Sequence, residues 1–131
     1  MARYGTTAQS PKYPAAPEIQ ITVSAPGHLA SLTMTAIPDT AAAMTCLPLW
    51  AAREFQQHGL SYRWTRVRGP VGESREMPLV SIRLKILQCE FDNYEVGVID
   101  RQYALIGRDI LNLHTITFEG NKRWMFHPAK T

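Results

Sequence analysis

Residues 36–48 read AIPDTAAAMTCLP, with one acid, Asp39, inside the most apolar part of the chain. A carboxylate in such a place has two readings. It can end a strand as a turn residue, because Asp hydrogen-bonds its own backbone there. Or it can be an acid–base group that works on something outside the strand. The other reactive side chains form no local set. Cys46 and Cys89 lie far apart and read as buried free thiols rather than a disulfide. His28, His58, His114 and His127 have no metal-ligand spacing, so no metal and no cofactor is expected. No nucleophile–His–acid set carries a local signature, and no glycine-rich phosphate loop is present.

The elements that must position Asp39 are mostly strands. Ile19, Ile21 and Val23 alternate with Gln20, Thr22 and Ser24, the period of a half-buried strand. Pro26-Gly27 marks a turn, after which Leu32, Met34 and Ala36 form a second strand running into Asp39. Pro48 is predicted to open the middle helix, with Leu49, Ala52 and Phe55 on its apolar face and Gly59 as its stop. Trp50 and Phe55 are expected in the core. Tyr62 to Arg68 leads to a Gly/Pro turn at Gly69 to Gly72. Val80, Ile82, Leu84 and Ile86 make the clearest strand, and Tyr94, Val96 and Val98 make another. A short helix is predicted from Arg108, with Asp109 as its N-cap or first-turn residue. Ile116 and Phe118 form a strand, Gly120-Asn121 turns the chain, and Trp124 and Phe126 return it. The fold class is mostly β, with one middle helix and a short C-terminal helix.

Composition sets the bounds. With 131 residues, 45% apolar and 19% charged, the chain suits one soluble globular domain. Residues 1–17, rich in Pro and small residues toward Pro17, read as a flexible N-terminal arm, and the domain as 18–131. No apolar run is long enough for a bilayer, and MARYGTTAQSPKYPAAP lacks a signal-like apolar region, so the expected location is cytoplasmic with no membrane partner. The net charge of +3 does not call for nucleic acid. The run YRWTRVR interleaves basic and aromatic residues, as a single-strand-binding surface would, but reads better as a solvated strand face.

Two segments belong together: the apolar strand ending in Asp39-Thr40-Ala41-Ala42, and the later Leu105-Ile106-Gly107-Arg108-Asp109-Ile110-Leu111. The pair resembles the retropepsin-like aspartic proteases, in which an apolar strand leads to Asp-Thr/Ser-Gly-Ala and a later one to Gly-Arg-Asp/Asn and a helix. The match runs from about Glu18 to Pro128. The resemblance implies a retropepsin-like barrel or sandwich acting as a homodimeric aspartic endopeptidase on peptide or protein substrates. Amide hydrolysis needs a base for water and an acid for the carbonyl oxygen, and two close carboxyls sharing one proton supply both. A chain with one such motif would borrow the second Asp39 from a second copy across a two-fold axis. By the same resemblance, Thr40 braces the loop across the axis, with Ala41 and Ala42 supporting it. Gly69, Pro70, Val71, Gly72 and Glu73 form the tip of a substrate-closing hairpin. Ile106 and Gly107 pack behind the catalytic loop. Dimer contacts are expected from Ile19 to Val23, from Trp124 to Phe126 and from the Asp39 loop.

Three positions depart from the family pattern. Ala41 replaces Gly, Ala43 stands where Ser or Asp is usual, and Pro38 removes a backbone donor just before Asp39. The change at Ala43 implies that Arg108 lacks its usual partner. These departures favour an alternative of another class, a catalytically silent dimerisation or peptide-binding module of the same fold. A third option, weaker still, is a small basic β domain that binds nucleic acid through Arg63, Arg66 and Arg68.

Overall fold

A computed structural model describes residues 3–6, 17–27, 30–68, 72–86, 89–119 and 123–128. In chain order these form β1 (Arg3–Thr6), β2 (Ile19–Ser24), β3 (Ser31–Pro38), β4 (Cys46–Pro48), α1 (Leu49–Gln56), β5 (Arg63–Arg68), β6 (Ser74–Ile86), β7 (Cys89–Ile99), β8 (Ala104–Ile106), α2 (Arg108–Leu111), β9 (His114–Glu119) and β10 (Arg123–Pro128). The predicted fold class holds: the chain is mostly β with two short helices. The turn predicted at Gly120-Asn121 lies outside the described residues.

Six strands close into a barrel. Their order is β2-β3-β8-β4-β7-β6, and β6 returns to pair with β2. Closure leaves those six without an open edge over the paired length. The alternation read in the sequence decides which side chains face inward. Ile82, Leu84 and Ile86 on β6 and Ile21 and Val23 on β2 are fully buried, while Arg83 and Lys85 between them face solvent. α1 covers one side of this core with Ala51, Ala52 and Phe55. Pro48 sits one place earlier than predicted, as the N-cap and the last residue of β4, where its missing N–H costs no helix hydrogen bond. Trp50 is not core. It is 45% exposed, and its indole N–H donates to the Gln102 carbonyl at 3.1 Å.

β5 pairs with the first half of β6 as a hairpin projecting from the barrel, in the register Arg68↔Ser74. A second sheet, β1-β10-β9, stands beside the barrel. One expectation changes here. Arg3–Thr6, read as part of a flexible arm, is a strand paired with β10 from Arg3↔Phe126 to Thr6↔Arg123. Of the strands expected to meet a second copy, β10 lies between β1 and β9, and β2 pairs with β3 from Ile19 but with β6 only from Ile21. Among the described residues, β1 and β9 are the outer strands of the smaller sheet.

Candidate active site

The Asp39 loop begins where β3 ends. β3 runs parallel to β8, with Pro38 opposite Ile106, and the Asp39 N–H donates to the Ile106 carbonyl at 2.9 Å. Pro38 costs little here. Backbone N–H groups alternate between the two sides of a strand, so the missing one faces β2, whose ladder with β3 has already stopped at Ile19↔Ala36. The chain then turns tightly. The Ala42 N–H donates to the Asp39 carbonyl at 3.1 Å, and the Ala41 N–H donates to Asp39 Oδ1 at 2.9 Å. One carboxylate oxygen therefore fixes the side chain against its own loop, as Asp does in turns. The residue remains half-buried, with Thr40, Ala41 and Ala43 exposed around it.

The second segment grips this loop from behind. The Arg108 N–H donates to the Ala42 carbonyl at 2.9 Å, and Arg108 Nη1 donates to the Thr40 carbonyl at 2.8 Å. Arg108 thus has a backbone partner in the loop although position 43 is alanine. Gly107 permits the close approach. A Cβ there would lie 2.4 Å from the Met44 carbonyl carbon and 2.6 Å from its oxygen, closer than any side chain can stand. Ile106 is 1% exposed and belongs to the barrel core.

Asp109 has another task. It sits in the first turn of α2 and collects donors from three directions. Its Oδ1 accepts from Thr45 Oγ1 at 2.9 Å and from the Ile110 N–H at 3.0 Å. Its Oδ2 accepts from Tyr94 O–H at 2.7 Å and from the Thr45 N–H at 3.1 Å. Thr45 Oγ1 in turn accepts from the Gly107 N–H at 3.1 Å. The sequence assigns no site role to Thr45, and marks Tyr94 only as part of a strand with Val96 and Val98. A threonine inside an apolar run, 1% exposed once folded, is the one signal that could have flagged the first. Burial, then the hydrogen bond to Asp109 and its charge, hold the Tyr94 phenol protonated well above its ordinary range.

Cys46 is buried beside the loop, and both cysteines are free thiols, Cys89 being only half-buried. Burial foremost, then the nearby carboxylates of Asp109 and Asp39, push the Cys46 thiol up to about 11, with a hydrogen bond from Gly97 pulling the other way. It is therefore protonated at neutral pH and not a nucleophile.

Of the expected hairpin tip, Gly69, Pro70 and Val71 lie outside the described residues, while Gly72 and Glu73 are exposed. Beneath the β5–β6 hairpin is a hollow of about 360 Å³ between Val67, Arg75 and Met77 on one side and Val98, Asp100 and Arg101 on the other. Asp39 does not line it. Arg63, Arg66 and Arg68 are exposed along β5, with Arg63 paired to Glu95. No helix among the described residues is long and apolar enough to cross a membrane.

No protein-family model matches the chain, and no curated protein matches it by sequence. Solved structures do. A retropepsin-like aspartic protease from Rickettsia conorii superposes with a TM-score of 0.65 at 13% identity, over 98% of this chain and 91% of that one. An EIAV protease bound to an inhibitor gives 0.55 at 18% identity, over 79% of this chain and 91% of that one. A foamy viral protease–reverse transcriptase gives 0.50 at 15% identity, over 74% of this chain but only 12% of that longer one. At these identities the likeness speaks to architecture alone: the chain has the fold of the retropepsin-like aspartic proteases.

Proposed function

We propose that two copies of this chain form an aspartic endopeptidase, each contributing one Asp39, with residues 18–131 as the functional domain. The observation that carries this reading is the anchoring of Asp39. Its loop is held by a backbone bond to β8 and two bonds from Arg108, while the carboxylate stays half-open at the end of β3. One chain offers one Asp-Thr-Ala loop, so a carboxyl pair needs a second copy. Two such carboxyls, too close to ionise together, hold one proton between them. The charged one takes a proton from water as the neutral one gives its proton to the carbonyl oxygen. The β5–β6 hairpin would close over an extended peptide, Gly69 to Glu73 forming its tip. Thr40, exposed at the loop, would meet its counterpart across the axis, with Ala41 and Ala42 forming the floor under the substrate. The substrate is a peptide or protein, and a cytoplasmic location fits the composition.

Exposed Ala41 and Ala43 favour a second reading, a catalytically silent module of this fold that dimerises or holds peptides. Digestion of a peptide library at acidic pH, with and without a pepstatin-type inhibitor, separates the two. Inhibitor-sensitive cleavage by the parent chain is the expected result. Cleavage only after Ala41→Gly, or after Ala41→Gly with Ala43→Ser, would favour the silent module. No cleavage by any folded dimer would remove the peptidase reading.

A further inference from the structure

β5 is the last strand of the larger sheet. It pairs with β6 on one side, from Arg63↔Leu79 to Arg68↔Ser74, and no described strand pairs with its other side. Along that open edge every second residue turns an N–H and a C=O outward. The strand reads RWTRVR, rich in arginine and without an acid. Side chains alternate between the two faces of a strand, so Trp64, Arg66 and Arg68 stand on one face, each about 6.6 Å from the next. All three are exposed, and Trp64, at 59%, is the most exposed large apolar side chain among the described residues. Among those residues, Arg63 is the one arginine of β5 with an acidic partner, Glu95. Arg66 stands opposite Glu76 in the ladder without an ion pair to it, and Arg68 stands opposite Ser74.

We infer that this edge docks an extended acidic segment of another protein, added as a further strand beside β5. The open N–H and C=O groups pair with the backbone of the added strand, and its side chains stand opposite those of β5. Charge selects the occupant. A second copy of this chain is disfavoured, because two β5 edges side by side bring the arginines of both together with no acid between them. Single-stranded nucleic acid would lie over the hairpin face to stack on Trp64, and there its phosphates meet Glu76 beside Arg66. Phosphates also only accept hydrogen bonds, so they leave the edge carbonyls unmatched. An added peptide strand lies about 4.8 Å beyond β5 and about 10 Å from β6, away from Glu76. Run antiparallel, its residues opposite Arg68, Arg66 and Trp64 follow one another at every second position. The favoured pattern is therefore acid–x–acid–x–apolar. The inference does not rest on the peptidase reading.

The test is fluorescence anisotropy of a labelled peptide containing Glu-Thr-Glu-Thr-Phe, titrated with the full chain at neutral pH and low salt. Mass spectrometry checks that the peptide stays intact. The parent should bind it saturably, and a Lys-Thr-Lys-Thr-Phe peptide should not bind. Arg66→Ala combined with Arg68→Ala should weaken binding roughly tenfold, and Trp64→Ala roughly threefold. These positions are exposed, so circular dichroism should show the variants folded. Methylating alternate backbone nitrogens of the peptide separates strand addition from plain charge attraction. One alternate set faces β5, and its methylation should abolish binding, while methylation of the other set should spare it. No binding by the parent, equal binding of the lysine peptide, or unchanged affinity in the double arginine variant would overturn the proposal. So would equal effects of the two methylated sets. Oligothymidylate that binds more tightly than the acidic peptide and displaces it would overturn it in favour of nucleic acid.

Discussion

Replacing Thr45 by valine should cost far more stability than its single-atom change suggests. Thr45 is 1% exposed, and its hydroxyl serves two partners, donating to Asp109 Oδ1 at 2.9 Å and accepting from the Gly107 N–H at 3.1 Å. Valine keeps the shape and removes both. A hydrogen bond to a charged group contributes about 1.5–3 kcal/mol, and a buried donor left unpaired costs about 1–3 kcal/mol. The added methyl returns about 0.8 kcal/mol by burial. Asp109 keeps its bonds from Ile110, Tyr94 and the Thr45 backbone, which limits the damage on its side. The net expectation is a loss of about 2–4 kcal/mol. Urea unfolding followed by tryptophan fluorescence at neutral pH measures it. Thr45→Ser is the control: it keeps the hydroxyl and should lose no more than about 1 kcal/mol through the missing methyl. A Thr45→Val chain within about 0.5 kcal/mol of the parent, or a serine variant as damaged as the valine one, would refute the reasoning.

Other expectations follow from the same anchoring. Gly107→Ala forces a Cβ against the Met44 backbone at 2.4 Å and should destabilise by at least about 1–3 kcal/mol, visible as a lower Tm. Arg108→Ala removes a 2.8 Å bond to the Thr40 carbonyl from an exposed side chain. It should cost only about 0.5–1.5 kcal/mol in urea unfolding, while hydrogen exchange in the Asp39 loop speeds up. The Tyr94 phenol is raised in the folded chain above its unfolded value of 10.0, so its stabilising effect is complete below pH 10 and is lost as pH rises beyond that. A urea series from pH 8 to above pH 10 should show a fall in stability that Tyr94→Phe reduces, and an identical fall in both proteins would sink the assignment.

How much could be read from the residues depended on burial. β2, β3 and the later part of β6 show period-two alternation because one face of each meets the barrel core, and each was legible. β4 and β8 were not legible as strands from their pattern. Each is three residues long, Leu47 and Ile106 within them are fully buried, and both take part in parallel pairing, so no polar face marks them. β6 reaches back to Ser74, beyond its alternating stretch, because that end is exposed and pairing with β5 alone extends it. β7 starts at Cys89, with Cys89 and Phe91 packed against the core, but an irregularity in its pairing with β6 near Asn93 breaks the period before Tyr94. β1 depends on β10, about 120 positions away, and no local signal announces such a partner. The position of Asp39 was legible as an acid interrupting an apolar run. Its bracing was only half legible: Arg108 and Asp109 stood out in their motif, but Thr45 and Tyr94 acquire meaning only when the fold brings them to one carboxylate.

The central claim, that two Asp39 carboxyls from two copies do the chemistry, is tested most directly by peptide cleavage measured against chain concentration. Parent chain and Asp39→Asn would be compared at acidic pH, each shown folded by circular dichroism. The expected result for the parent is a rate that rises with the square of concentration where monomers prevail and becomes linear where dimers do. Asp39→Asn, which keeps the shape and loses the titrating proton, should show no cleavage at any concentration. A parent rate linear in concentration down to the lowest dilution, or an Asp39→Asn chain that cleaves as fast as the parent, would contradict the claim.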